Sequence, residues 1–206
     1  MNNNILFLLD QIRAIGSEGL LYASDKYDIE RYKKLIDLAS KKYAEILDIP
    51  PEEISKTLKK EIGCITPKLG VDIAIVNNQR EVLILKRSDD KKWGIPCGWE
   101  DVGETPFETA IREAKEEAGL DIKPLGYIAV TNKGPDLYSG ITHQLNLLVA
   151  VEAIPKRIPI KLSHEHIDYQ WIKKEDDNID WHPGHKRLIK LIFQYIHNGV
   201  FIPHRQ

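Results

Sequence analysis

Between residues 98 and 120 the chain reads Gly98-Trp99-Glu100-Asp101-Val102-Gly103-Glu104-Thr105-Pro106-Phe107-Glu108-Thr109-Ala110-Ile111-Arg112-Glu113-Ala114-Lys115-Glu116-Glu117-Ala118-Gly119-Leu120. Its second half predicts a helix over residues 106–118, specified at both ends. Thr105 is an N-cap residue, Pro106 sits at N1 and Glu108 at N3 completes a capping box, while Gly119 closes the other end. Phe107, Ala110, Ile111, Ala114 and Ala118 form one apolar stripe, which must pack against something, most simply a sheet.

The glutamates of that helix are harder to dismiss as a solvated face. Glu113, Glu116 and Glu117 stand at i, i+3 and i+4, so their carboxylates share one side, and Glu113 and Glu117 border the apolar stripe. They are therefore expected at the rim of a crevice where helix meets sheet. A like-charged i, i+4 pair costs roughly 0.2–0.5 kcal/mol, and something must offset it. From Gly98 to Ile122 there are eight acidic residues and two basic ones. Such oxygen-rich clusters suit a hard cation, Mg²⁺ or Mn²⁺. A carboxylate cluster would repel a phosphate unless metal lay between them, so the expected chemistry is metal-assisted attack of water on phosphorus.

The pattern Gly98, five residues, Glu104, seven residues, then Arg112-Glu113-Ala114-Lys115-Glu116-Glu117-Ala118-Gly119-Leu120 resembles the Nudix box, with no position missing. The resemblance implies an α/β/α sandwich around a mixed sheet and a divalent-metal hydrolase of nucleoside diphosphates linked to a second moiety, X. It also implies that Glu113, Glu116 and Glu117 are metal ligands, that Gly98 offers its carbonyl, and that Glu104 and Arg112 orient the ligand carboxylates. Glu165, in His164-Glu165-His166, matches a glutamate that many family members keep after the box as a ligand or general base; the competing reading is an exposed charge at a strand edge. Trp93-Gly94-Ile95-Pro96 looks like the family's lead-in. Cys97 departs from the glycine common there, and is read as a small buried filler. The resemblance covers roughly residues 68–202.

Upstream the pattern changes. Residues 1 to about 62 carry helical periodicity: Ile5, Leu8, Leu9, Ile12 and Ile15, with exits at Gly16 and Gly19; a second helix capped by Asp28; and a third from Pro51 to Ile62, ended by Gly63. This segment resembles the N-terminal domain of a bacterial subset that includes CDP-choline and ADP-ribose pyrophosphatases. We therefore expect a helical domain at 1–66, a Nudix domain at 67–206 and a homodimer built through the helices or using them to cover the active site. Downstream, strands are predicted at 69–76, 81–86, 127–131, 143–153 and 169–173, with Asn77-Asn78-Gln79-Arg80 as a hairpin turn and a last helix over 183–197. Helices and strands so mixed place the fold in the α/β (α+β) class.

Composition sets the outer limits. With 206 residues, 42% hydrophobic and 29% charged, the chain can bury a core without disulfides. A formal charge of −2 argues against a dedicated nucleic-acid binder. The opening apolar run, 5–9, is too short for a signal core or membrane span, and Cys64 and Cys97 lack paired spacing; a cytoplasmic protein is expected. Zinc at His164 and His166 is disfavoured, because alternating strand residues point to opposite faces. Trp99, Tyr138, Tyr169 and Trp171 are candidates to stack a nucleobase, though each also suits packing, and residues 134–140 read as a loop that would border the pocket. Lys186, Arg187 and Lys190 read as the wet face of the last helix. The leading expectation is pyrophosphate-bond hydrolysis of a small nucleoside diphosphate derivative. Its rivals are a nucleotide-sensing module without activity, an enzyme of RNA 5′ ends, one acting on oxidised nucleoside triphosphates, and a diphosphate isomerase.

Overall fold

A computed structural model describes residues 2–58, 66–134 and 143–198. The chain forms two units, residues 1–68 with 133–144 and residues 69–132 with 145–206.

In the first unit, α1 (Asn2–Tyr22), α2 (Lys26–Leu47) and α3 (Pro51–Leu58) enclose a core of Leu6, Leu9, Ala39, Tyr43, Ala44, Ile54 and Leu58. Helix α1 does not exit at Gly16 or Gly19. A β-carbon on Gly16 would lie 2.8 Å from Ile36 Cγ1, and one on Gly19 2.3 Å from Tyr32 Cε1, so these glycines let α2 approach closely. The cap of α2 is Asp25 rather than Asp28: its carboxylate accepts the N–H groups of Tyr27 at 2.9 Å and Asp28 at 3.3 Å. The expected end of the third helix at Ile62 and Gly63 lies outside the described residues, as does Cys64. His143 pairs with the Asp10 carboxylate, which also receives Arg13 at 2.5 Å, so residues of the 133–144 segment belong to the helical unit.

The second unit carries β1 (Lys68–Ala74), β2 (Val82–Arg87), β3 (Trp93–Gly94), β4 (Cys97–Trp99), α4 (Pro106–Ala118), β5 (Pro124–Lys133), β6 (Gln144–Val151), β7 (His166–Ile172) and α5 (His185–Asn198), with β5 and β6 running to its border. The strands form two sheets, in the orders β4-β1-β6-β5 and β3-β2-β7. The expected turn at 77–80 joins β1 to β2, where Val76 and Val82 bridge antiparallel and Asn77 N–H donates to Glu81 O at 2.9 Å. Glu81 is buried there, accepting Asn77 Nδ2 at 2.8 Å and Lys156 Nζ at 2.6 Å, and these partners hold its carboxyl below the ordinary carboxylate range.

Alternation along the strands separates two cores. Val71, Ile73, Ile75, Leu83 and Leu85 pack with Ala110, Ala114 and Ala118 of α4, whereas Ala74, Val82 and Ile84 pack with Leu188, Ile189 and Ile192 of α5. Adjacent strand residues face opposite ways, so α4 and α5 cover opposite faces, giving the α/β/α sandwich. Helix α4 has both halves of its capping box: Glu108 Oε2 accepts the Thr105 N–H at 2.8 Å, and Thr105 Oγ1 accepts the Glu108 N–H at 3.4 Å. Gly119 ends it at φ 70°. Among the described residues, no helix is long and apolar enough to cross a membrane.

Candidate active site

Small residues set the geometry. Ala110, Ala114 and Ala118 bring α4 close to the sheet, and β4 pairs antiparallel with β1 in the register Asp72↔Cys97, Val71↔Gly98 and Gly70↔Trp99. The carboxylates bordering that alanine stripe are thereby brought onto β4. A β-carbon on Gly98 would stand 1.8 Å from Glu113 Oε1. One turn further on, Glu117 Oε2 accepts the Cys97 N–H at 3.1 Å. The structure thus brings Gly98, Glu113 and Glu117 together, while Glu116 lies on the outer side with its side chain 60% exposed.

Arg112 ties the carboxylates into one unit. Its Nε donates to Glu104 Oε1 at 2.8 Å, and its terminal nitrogens donate to Glu104 Oε2 at 2.9 Å, Glu113 Oε1 at 2.7 Å, Glu116 Oε2 at 3.4 Å and the Trp99 carbonyl at 2.9 Å. Only a planar, multidentate guanidinium spans so many acceptors. Glu104 also receives Thr109 Oγ1 at 2.8 Å, and Arg112 is the main reason that its carboxyl titrates near 2.

Glu117 behaves in the opposite sense. It is buried, and desolvation pushes its carboxyl up to about 9; Glu113 and Glu165 add to this, while the Cys97 N–H and Arg87 oppose it. Glu113 is raised too, first by burial and then by Glu116 and Glu165, with Arg112 pulling against them. Two carboxyls held above their ordinary range by burial and by neighbouring carboxylates form a recess that a cation would relieve.

Glu165 is exposed in the turn before β7, not on a strand edge, and its charge reaches both Glu113 and Glu117. Ser88 N–H holds that turn by donating to Glu165 O at 2.8 Å. Of the neighbouring histidines, His164 is exposed and His166 buried, with His166 Nε2 4.0 Å from Glu117 Oε1. Lys186, Arg187 and Lys190 are exposed on α5. Trp99 and Tyr169 are partly exposed, Trp171 packs against the α4 core, and Tyr138 with most of the 134–140 loop lies outside the described residues.

Other contributors carry no local signal in the sequence. The Cys97 backbone, rather than its thiol, touches Glu117, and the thiol is pushed up chiefly by burial, then by Glu117 and Asp72. Arg87, bidentate to Asp89, and His166 approach Glu117 only through the pairing of β2 with β7. A further group, buried at Asp72 and His185 and half-buried at Cys97, places a ligand atom of each within 4.8 Å of one another.

These features coincide with known proteins. Residues 66–192 match the NUDIX domain, and residues 3–58 match the UDP-X-like, N-terminal oligomerisation domain. YjhB of Bacillus subtilis (strain 168), whose name proposes an ADP-ribose pyrophosphatase, is 34% identical over 120 residues, 58% of this chain and 57% of that protein. The asymmetrical bis(5′-nucleosyl)-tetraphosphatase of Mus musculus is 31% identical over 48% of this chain and 69% of its own length. Among solved structures, a UDP-X diphosphatase superposes over 98% of both chains with a TM-score of 0.53 and 23% identity. With a domain match spanning more than half its length and an intact box, the chain belongs to the Nudix hydrolase family.

Proposed function

We propose that this protein hydrolyses the pyrophosphate bond of a small nucleoside diphosphate derivative in the presence of Mg²⁺ or Mn²⁺, releasing a nucleoside monophosphate and phosphorylated X. The observation that carries this reading is the convergence of Glu113 and Glu117 on the backbone of Cys97 and Gly98. The donor set is all oxygen, two of its carboxyls are raised by burial and repulsion, and Glu116 adds a third at the rim; this fits a hard divalent cation.

Glu113, Glu116, Glu117 and the Gly98 carbonyl are the residues that would hold it. The bound cation supplies charge neutralisation for the diphosphate and a more acidic water. Arg112, fixed by Glu104, keeps the Glu113 and Glu116 carboxylates in place. Glu165, exposed and electrostatically coupled to both inner carboxylates, accepts the proton of the attacking water on its carboxylate. Water thereby adds across one P–O bond, and the leaving phosphate oxygen departs with the other product.

Two likenesses support a diphosphate rather than a triphosphate substrate: the UDP-X-like type of the N-terminal domain, and a UDP-X diphosphatase similar along both domains. The oligomerisation character of that domain supports a homodimer. A panel of CDP-choline, ADP-ribose, UDP-sugars, dinucleoside polyphosphates, oxidised nucleoside triphosphates and 5′-triphosphorylated RNA, assayed with each metal, tests the reading. Selective monophosphate release from the first three is expected. Cleavage confined to triphosphates or RNA would overturn the substrate class, and tight binding without product would overturn the activity.

A further inference from the structure

The Asp180-Trp181-His182-Pro183-Gly184-His185 segment has no part in the box, yet it grips the strand that leads into it. Three backbone groups of Trp93 and Ile95 in that lead-in are bonded from this side. Trp93 N–H donates to Asp180 O at 2.9 Å, Trp93 O accepts the His182 N–H at 2.8 Å, and Ile95 N–H donates to His185 Nδ1 at 3.0 Å. The His185 ring sits where a side chain on residue 94 would be, since a β-carbon on Gly94 would lie 2.8 Å from Nδ1. His185 is buried, packed edge-on against His182 with centroids 4.9 Å apart, and His182 Nδ1 lies 2.8 Å from Asp90 Oδ2.

The hydrogen bond from Ile95 decides what this group does. An imidazole nitrogen that accepts an N–H carries no proton, so the His185 proton is on Nε2. Coordination through Nε2 would require that proton on Nδ1, facing another N–H. The Ile95 N–H thus commits His185 to supporting the lead-in strand rather than to coordinating a metal beside Asp72 and Cys97.

Immediately beyond Ile95, Pro96 O accepts the Ile73 N–H at 2.9 Å, Cys97 N–H binds Glu117 and Gly98 meets Glu113. We propose that His185 is a positioning residue for the cation site: by accepting the Ile95 N–H, it fixes the height of the Cys97–Gly98 backbone against Glu113 and Glu117. This rests on the cation reading above, and it assigns to α5 a role across the sheet from the helix bearing the glutamates.

The test is Mn²⁺ binding to the full-length, substrate-free protein, read from the spin-resonance signal of free Mn²⁺. His185→Leu, which fills the ring volume without an acceptor, is expected to raise the dissociation constant about tenfold. His185→Asn, whose Oδ1 replaces Nδ1, is expected to restore it to within about threefold of wild type. A folded Leu variant with wild-type affinity, or an Asn variant no better than Leu, would overturn the proposal. Should His185→Leu fail to fold, Gly94→Ala, which pushes the ring away from Ile95, carries the same test: weakened binding supports the role and unchanged binding refutes it. Wild-type protein that bound no Mn²⁺ would instead overturn the cation reading itself.

Discussion

Glu113 Oε1 fills the volume that a side chain on residue 98 would take, 1.8 Å from where its β-carbon would stand. The atoms in the way, Oε1, Cδ and Cγ, all belong to one flexible side chain, so Gly98→Ala can be absorbed by swinging the whole Glu113 side chain aside. We expect Tm to fall by no more than about 4 °C. With one carboxylate displaced, kcat/KM should fall about 100-fold, equivalent to roughly 2.7 kcal/mol of transition-state stabilisation. Loss of fold, or retention of activity, would contradict this geometry.

Glu117 gives one oxygen to the Cys97 N–H, and its other oxygen lies 4.0 Å from His166 Nε2. Glu117→Gln keeps an acceptor for that N–H while removing the charge. Turnover should drop at least about 100-fold with the circular dichroism spectrum unchanged. In the wild type, chelation should abolish activity and added Mg²⁺ or Mn²⁺ should restore it. Activity that survives chelation would remove the basis for any cation role.

Arg112→Lys is a charge-conserving change that should fail. An ammonium cannot reach Glu104, Glu113, Glu116 and the Trp99 carbonyl together. A kcat lower by about 10- to 100-fold is expected, with substrate KM changed far less, because the arginine acts through other side chains. A variant within twofold of wild type would show that the carboxylates hold themselves in place.

Glu81 provides the pH test. Its folded-state carboxyl is depressed by Lys156 and Asn77, so its contribution to stability is present above the ordinary value of 4.5 and is lost as pH falls through the lower folded value. Glu81→Gln should therefore cost about 1–3 kcal/mol at pH 7. The Tm gap to wild type should close as pH is lowered from 7 towards 3. A gap independent of pH would mean that the carboxylate's charge is irrelevant to the turn.

The outer side of α1 tests assembly. Ile5, Leu8, Ile15 and Tyr22 are 42–76% exposed and recur at three- and seven-residue spacings, as a helical packing seam would. Leu8→Glu with Ile15→Glu should convert the expected dimer to monomer in light scattering. A wild-type monomer at micromolar concentration would remove the dimer from the proposal.

What could be read without coordinates was whatever depends on neighbours in the chain. The ends of α4 followed from Thr105, Pro106, Glu108 and Gly119, because caps are local hydrogen bonds. The strands at 69–76 and 81–86 followed from their Val, Ile and Leu content, but 82–85 is apolar throughout, so which residues face α4 and which face α5 came only from packing. Periodicity alone misplaced the end of α1, since Gly16 and Gly19 serve contacts with Ile36 and Tyr32 that only packing supplies.

The sequence by itself determined the family and the helix that carries the box glutamates, because the box spacing, the caps and the 3.6-residue repeat are local features of the chain. Tertiary structure alone decided that burial pushes the Glu117 carboxyl up to about 9, that the Cys97 N–H meets it, and that His185 accepts the Ile95 N–H from 90 residues away. Burial and long-range hydrogen bonds depend on which surfaces meet, and no local pattern in the chain encodes that.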